Sequence, residues 1–481
     1  MAKPHAVIVP SPAQGHTNPM LKVAKLLYQK GFYITFVVNE YVGRLYLQAR
    51  GPNALDGLPD FKFAAVPDGV DFGDALPDPI LRCDQLMKDL PLPFFRRFVH
   101  ELASSTDVPP ITCIVCDGNM KFPLKVAEEL GVPSAVFWTP SACGMLCYAY
   151  FHKLVEKGIL PLKDESCLTN GYLDTVIDFI PAMKGIRLRD FPNFVRTTNL
   201  EDVMFKFAIS KFDKAYKASA LFLNTMDALE REALDAFSTM FPPVYTIGPL
   251  QLLEEKQMLQ IPKSSELENI GLTMWTEDLD CLAWLDKKEP SSVIYVNFGS
   301  VARMTSKELF EFGWGLANSK QDFLWAIRPD LVLGESAIFP PELKTEIKER
   351  GLLPSWTPQE KILRHPSVGG FLTHCGWNSI LESIVGGVPM ICWPAWAEQS
   401  TNCWYLCKHW GLGMEINNVE REEVARLVRE LMVGENGKRM KAKAKEWKKV
   451  AEDAVIAPTG SSPMNFDNLV NKVLLSKFPN N

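Results

Sequence analysis

Short runs of β-branched and aromatic residues alternate, through most of the chain, with stretches whose apolar positions recur every three to four residues. That alternation predicts strands feeding helices, and hence parallel sheets with helices on both faces. Two blocks carry the pattern. The first predicts strands over Ala6–Pro10, Tyr33–Val38, Phe61–Ala65, Ile111–Cys116, Ser134–Trp138 and Leu221–Asn224, closing near Tyr245–Gly248. The second predicts Val293–Phe298, Phe323–Ile327, Gly351–Leu353, Val368–Thr373 and Met390–Trp393. Residues 250–275, LQLLEEKQMLQIPKSSELENIGLTMW, are polar, weakly periodic and interrupted by Pro262, which reads as an interdomain linker. The predicted division is 1–248 for an N-terminal domain, 249–290 for linker and domain entry, 291–457 for a C-terminal domain, and 458–481 for a closing segment. Ligands of open α/β sheets collect at the carboxyl ends of the strands, so two facing sheets would place one ligand on each side of a cleft.

Composition narrows the partners. With 481 residues, 47% of them hydrophobic, the chain can bury a large core in each domain. A formal net charge of −6 argues against nucleic acid, whose phosphates need a basic face. The basic run Lys438–Lys449 places Met440, Ala442, Ala444 and Trp447 at helical spacing, as on a solvated helix. Eleven cysteines cannot all pair internally, which fits a reducing compartment, and a cytoplasmic monomer is expected. Cys113 and Cys116 fall on one strand at odd spacing, with thiols on opposite faces, so neither a metal nor a disulfide is expected there. The first residues lack a secretory apolar region, and no run approaches the roughly 18 apolar residues of a membrane span.

The densest chemistry lies between Trp356 and Gln399. Val368–Thr373 is a strand, and Gly376 opens a helix beginning Trp377, Asn378, Ser379. Backbone N–H groups and the positive end of the helix dipole point outward at such a start, so a diphosphate could sit there with His374 beside it. Trp356 offers a face on which a base could stack, worth roughly 1–3 kcal/mol, or it is a core tryptophan. Glu382 shares a helix face with Asn378 and suits the paired hydroxyls of a ribose, or it is an exposed helical glutamate. Asn297-Phe298-Gly299-Ser300 follows VIYV as a turn that glycine lets a phosphate approach. G-x-G-x-x-G is missing, which disfavours NAD. Asp278 and Asp280 have the spacing of a metal-holding pair, but they open the helical stretch CLAWLDKK, where acidic residues favour the dipole; no metal is expected.

In the first block, the loop Ser11–His16 follows a strand and precedes an amphipathic helix around Met20–Tyr28, which puts His16 at a strand's carboxyl end. Asp117 ends ITCIVCD at the same edge. A histidine and a carboxylate so placed make a general base and the partner that fixes its tautomer. The plainer accounts are a structural histidine and a helix N-cap. No G-x-S-x-G is present, which weakens a hydrolase reading.

Taken together, PAQGHTNPM, LFLNTMDALE, YTIGPL, VIYVNFGS, WGLAN and the whole of Trp356–Gln399 resemble plant family 1 UDP-glycosyltransferases. GPNALDGLP, PLKDESCLTNGYLDTVIDFIPAMKGIRLRDFP and PSVGGFLTHCGWNS are most similar to the subfamily of iridoid, monoterpenoid, cyanohydrin and some flavonoid glucosyltransferases. The resemblance implies a GT-B fold, two Rossmann-like domains facing across a cleft, with the acceptor held by the first and UDP-glucose by the second. It implies His16 as general base and Asp117 as its partner. Trp356 would stack on uracil, the Thr357 backbone would meet the base's edge, Glu382 would hold the ribose, and Gln359 would join the UDP-sugar contacts. His374, Trp377, Asn378, Ser379 and Ser300 would contact the diphosphate, while Thr139, Trp377, Glu398 and Gln399 would read the sugar. No cofactor is implied beyond the donor substrate. The reaction would be a single displacement giving a β-glucoside, and the closing segment would cross back to brace the first domain. Glu398 departs from the family's usual aspartate, and VVNEYVGRLYLQARG replaces a more polar pattern on what should be the acceptor side. Cys143, Met145, Phe194 and Trp396 are candidates to line an apolar acceptor pocket or are ordinary core residues. Two alternatives compete: a non-catalytic nucleotide-sugar or metabolite-binding protein of the same fold, and a hydrolase or epimerase, which would need a metal or NAD.

Overall fold

The structure is a computed structural model that describes residues 3–67, 69, 79–212, 217–241, 243–259, 264–332 and 339–478. The chain forms two compact units. One comprises Met1–Gly185, Phe194–Trp275 and Ala454–Asn481; the other comprises Ile186–Asn193 and Thr276–Asp453.

The first unit is built on seven strands: β1 (His5–Val9), β2 (Tyr33–Asn39), β3 (Phe61–Val66), β4 (Cys113–Asp117), β5 (Ser134–Trp138), β6 (Ala220–Leu223) and β7 (Val244–Thr246). Their order is β3-β2-β1-β4-β5-β6-β7, all parallel, with Val9 beside Cys116. β1, β4, β5 and β6 are buried along their whole length, as expected of strands covered on both faces. Sheet growth reverses between β1 and β4, so the loops after these two strands flank a topological switch point.

The second unit has β8 (Val293–Asn297), β9 (Asp322–Trp325), β10 (Gly351–Leu352), β11 (Val368–Thr373), β12 (Met390–Cys392) and β13 (Gly413–Glu415), in the parallel order β10-β9-β8-β11-β12-β13. Its switch point lies between β8 and β11. Phe298, Phe312 and Trp393 interlock edge-to-face beneath the loop that follows β8. β13 escapes sequence reading because three half-buried residues, Gly-Met-Glu, carry no alternation.

Several boundaries differ from the sequence expectation. The helix after β1 begins at Gln14, not Met20; its polar first turns and Pro19, which cannot donate within it, hide the start. Residues 249–275 are no linker, since they belong to the first unit. The helix Leu250–Met258 buries Leu252 and Leu253, donates its first N–H, that of Leu250, to Asn224 Oδ1 at 3.0 Å, and pairs Glu254 with Lys22 and Lys25, each at 3.1 Å. Pro262 lies outside the described residues. Residues 186–193, placed in the N-terminal domain by sequence, belong to the second unit. There Thr401 Oγ1 donates to the Asp190 carbonyl at 2.7 Å. Residues 454–481 belong to the first unit, where Asn465 Nδ2 donates to the Thr246 carbonyl at 3.1 Å and Lys477 to that of Gly131 at 2.7 Å. Among the described residues, no helix is long and apolar enough to cross a membrane.

Candidate functional site

The first unit sets a histidine against a buried carboxylate. His16 lies in the first turn of the helix after β1, its N–H bonded to the Ala13 carbonyl at 2.9 Å, and Asp117 is the last residue of β4. The switch point thus brings His16 Nδ1 to 2.7 Å from Asp117 Oδ2. Asp117 is 1% exposed and His16 25%, so the carboxylate is sequestered while the imidazole reaches solvent. The second carboxylate oxygen accepts the Asn119 N–H at 2.8 Å. Asp117 therefore serves the turn and the histidine at once, one oxygen each. Gly118 makes this possible, because a methyl carbon there would lie 2.0 Å from the Trp138 ring. Thr139 Oγ1 stands 2.9 Å from the same Nδ1. An imidazole that gives Nδ1–H to a carboxylate keeps Nε2 as a proton acceptor.

The second unit holds the turn after β8, backed by a closed polar network. At the end of β8, Asn297 Oδ1 accepts the Gly299 N–H at 2.9 Å, and its two amide hydrogens go to the Tyr295 hydroxyl and to Gln359 Oε1, both at 2.8 Å. Tyr295 also meets Thr357 Oγ1 at 2.8 Å. Gln359 Nε2 in turn donates to Ser379 Oγ at 2.9 Å and Glu382 Oε2 at 2.6 Å. Both donors of each amide are used, so the network fixes Glu382 and the start of the helix Trp377–Gly386 against the loop after β8.

His374 follows β11, and Cys375, at φ 63°, turns the chain into that helix. Gly376 at the N-cap contributes no side-chain acceptor to the helix start. The imidazole is wedged between two glycines: a methyl carbon at Gly299 or at Gly376 would stand 2.4 Å from His374 Nε2. Arg328, 2% exposed, donates to the carbonyls of Gly299 and Ala302 and to Asp330 Oδ1, the last at 2.8 Å. It clamps the loop that flanks the histidine. Burial, reinforced by the Arg328 charge, lowers His374 from 6.5 to about 4. The ring is therefore neutral near pH 7, a hydrogen-bond donor rather than a cation.

The other candidates fall into three groups. Half-buried Trp356 and buried Thr357 precede Gln359; the Trp356 carbonyl accepts the Asp278 N–H at 2.9 Å. Ser300 and Asn378 are half-buried at the two sides of the turn. The Trp377 indole is 3% exposed and packs on Trp410 at 5.9 Å. Gln399 Oε1 accepts the Ala395 and Trp396 N–H groups at 3.0 and 2.8 Å, and Asn193 clasps Ala397 through bonds of 2.9 and 3.1 Å. Glu398, 9% exposed, is the N-cap residue of the helix Gln399–Lys408. Asp278 Oδ1 accepts the Asp280 N–H at 3.0 Å, a turn that opens the short helix Asp280–Leu285.

None of the four acceptor candidates lines the cavity found in the first unit. Cys143 and Met145 lie fully buried in the helix Ala142–Ala149, whose start is capped by Glu230 accepting from the Ala142 and Cys143 N–H groups at 3.0 and 2.9 Å. Phe194 packs on Tyr148 at 6.2 Å, and Trp396 belongs to the second unit. The first unit instead has a cavity at the carboxyl ends of β1–β3, lined by Val9, Val37, Tyr46, Arg82, Met120 and Phe122 among others. Tyr46, like Val37, lies in the stretch VVNEYVGRLYLQARG. Sequence reading singled out neither Tyr295 nor Arg328, nor the cavity residues outside VVNEYVGRLYLQARG; it did place Asn297 at the head of the turn after VIYV, and Val37 and Tyr46 in a stretch expected on the acceptor side.

The family model described as UDP-glucoronosyl and UDP-glucosyl transferase matches residues 62–458. The chain is similar to a 7-deoxyloganetin glucosyltransferase of Gardenia jasminoides, 55% identical over 480 residues, 99% of this chain and 98% of the relative. It is similar to an (R)-mandelonitrile beta-glucosyltransferase of Prunus dulcis, 54% identical over 481 residues and 98% of each chain. Among solved structures it is similar to Os79 of O. sativa in complex with UDP, with a TM-score of 0.79 and 28% identity over 97% of this chain and 99% of that one.

Proposed function

Since the chain belongs to the UDP-glucoronosyl and UDP-glucosyl transferase family, we propose that its named residues transfer glucose from UDP-glucose to a hydroxyl of a small lipophilic plant metabolite, with inversion. Iridoid or monoterpenoid alcohols lead, with cyanohydrins and flavonoids behind; the names of the two similar glucosyltransferases support the iridoid and cyanohydrin classes. The observation that carries the reading is His16 Nδ1 held at 2.7 Å by a buried Asp117.

In this reading the acceptor hydroxyl gives its proton to His16 Nε2 as its oxygen attacks the anomeric carbon. The bond from that carbon to the diphosphate oxygen breaks, and its electron pair leaves with UDP. An α-linked donor thereby yields a β-glucoside. Asp117 stabilises the imidazolium that forms. The first unit supplies the base, and the second stabilises the leaving group. Neutral His374 and the start of the helix Trp377–Gly386 donate hydrogen bonds to the diphosphate as its charge develops, with Ser300, Asn378 and Ser379 beside them. Trp377 takes part through its backbone, since its indole is buried. Trp356 stacks on the base, Thr357 meets its edge, and Glu382, oriented by Gln359, holds the ribose. Gln399 has its carbonyl oxygen committed to two backbone N–H groups, so its NH2 is the group offered to the sugar, with Glu398 and Thr139. The apolar cavity beside β1 is the proposed acceptor pocket. The enzyme is read as a cytoplasmic monomer needing no cofactor beyond its donor.

The test is incubation with UDP-glucose and either 7-deoxyloganetin or (R)-mandelonitrile, with the glucoside identified by mass spectrometry and its anomeric configuration by NMR. A β-glucoside formed one-to-one with UDP is expected. UDP-glucose binding with no glucoside from either compound or a wider alcohol panel would favour the non-catalytic binding protein.

A further inference from the structure

The fold assembles a group of thiols that the chain keeps apart. Cys375 in the turn after β11, Cys392 at the end of β12 and Cys403 in the helix Gln399–Lys408 have sulfurs within 4.8 Å of one another. Their exposures are 0%, 0% and 1%. Cys407 lies one helical turn beyond Cys403, just outside that group. Gly413 closes the group: a methyl carbon there would lie 3.0 Å from Cys392 Sγ and 3.2 Å from Cys407 Sγ. None of the four is in a disulfide, and transfer uses none of their side chains.

Sulfurs bound at about 2.3 Å to a tetrahedral zinc-type ion stand about 3.8 Å apart, so this group needs at most about an ångström of contraction. Thiolates select soft ions. Charge favours a divalent one, because three thiolates leave a net −1 on M2+ but −2 on Cu+, and buried charge is costly.

We propose that Cys375, Cys392 and Cys403 form a buried site for a thiophilic d10 divalent cation such as Zn2+ or Cd2+, with Cys407 as fourth sulfur, and that loading it weakens UDP binding. Each of the three thiols releases its proton to solvent as its sulfur binds, giving [M(SR)3]−, to which Cys407 adds a neutral thiol. The coupling runs through Cys375, which stands between His374 and Gly376. Its carbonyl accepts Asn402 Nδ2 at 3.0 Å and its N–H reaches Thr373 Oγ1 at 3.2 Å. Drawing its sulfur inward moves the turn that carries the imidazole, beside which neither Gly299 nor Gly376 leaves room for a side chain. The coupling to UDP rests on the donor reading above, whereas the metal site does not.

The experiment titrates Cd2+ alone into the full-length, chelator-treated protein. Expected are one equivalent per chain with a thiolate-to-metal charge-transfer band, about three protons released, and at least a fivefold weaker UDP Kd with the ion bound. Cys403→Ser and, independently, Cys392→Ser lower Cd2+ affinity at least tenfold, while Cys83→Ser, a half-buried thiol elsewhere, leaves it unchanged. No stoichiometric band in the wild type, or a band undiminished in both variants, overturns the site. An unchanged UDP Kd with the ion bound overturns the coupling.

Discussion

Replacing Asp117 by asparagine removes one oxygen of the carboxylate and almost no volume, and the two hydrogen bonds it makes determine the outcome. Oδ1 accepts the Asn119 N–H at 2.8 Å and Oδ2 accepts from His16 Nδ1 at 2.7 Å. An amide has one acceptor oxygen and cannot serve both. If that oxygen stays on Asn119, the NH2 faces His16, Nδ1 becomes the acceptor, and the proton moves to Nε2, where it blocks the base. If the amide flips, the Asn119 N–H is left against an NH2 in a buried turn, at about 1–3 kcal/mol. The first arrangement is favoured, so the base is lost to tautomer rather than to distance. General-base catalysis contributes roughly 10²–10⁴-fold, or about 3–5 kcal/mol of barrier. Single-turnover transfer by Asp117→Asn should fall within that range, with UDP affinity from calorimetry unchanged, because no donor-holding residue is touched. A rate within threefold of wild type would refute the reasoning.

Gly299→Ala places a side chain at φ 70° and a methyl carbon 2.4 Å from His374 Nε2. UDP should bind at least tenfold more weakly by calorimetry, and an unchanged Kd would remove this glycine from the donor site. A pH dependence follows from His374. Its folded value, about 4, lies below 6.5. The unfolded chain therefore binds the proton first as pH falls, and stability present above pH 6.5 is lost between about 6.5 and 4. Urea unfolding should show ~2 kcal/mol less stability at pH 5 than at pH 7 from this residue, and His5, also lowered by burial, acts in the same direction. A flat profile would contradict both.

The strands were legible because parallel strands buried on both faces read as β-branched runs, and only short β13 lacked enough residues to register. The helix start at Gln14 was hidden by Pro19. The turn between β11 and the helix Trp377–Gly386 was legible because Trp356–Gln399 holds strand, turn and helix start in one contiguous segment. What supports it was not: Arg328 and Tyr295 come to the turn through the register of β8 with β9 and β11, which spacing along the chain does not reveal. Cys375, Cys392 and Cys403 likewise meet only in three dimensions. His16 and Asp117, 101 residues apart, could be put at one sheet edge because one follows a strand and the other ends one, but only the strand order makes those strands neighbours. The acceptor candidates could not be told from core in the sequence, because apolar residues in a buried helix look the same whether they face a core or a pocket.

The central claim is that His16 takes the acceptor's proton while the second unit holds the donor. The most direct measurement pairs the kcat of His16→Ala, with an acceptor the wild type turns over, with its Kd for UDP. The account predicts that transfer falls by about 10²–10⁴-fold with the UDP Kd within twofold of wild type. Undiminished turnover, or loss of UDP binding in step with activity, would contradict it.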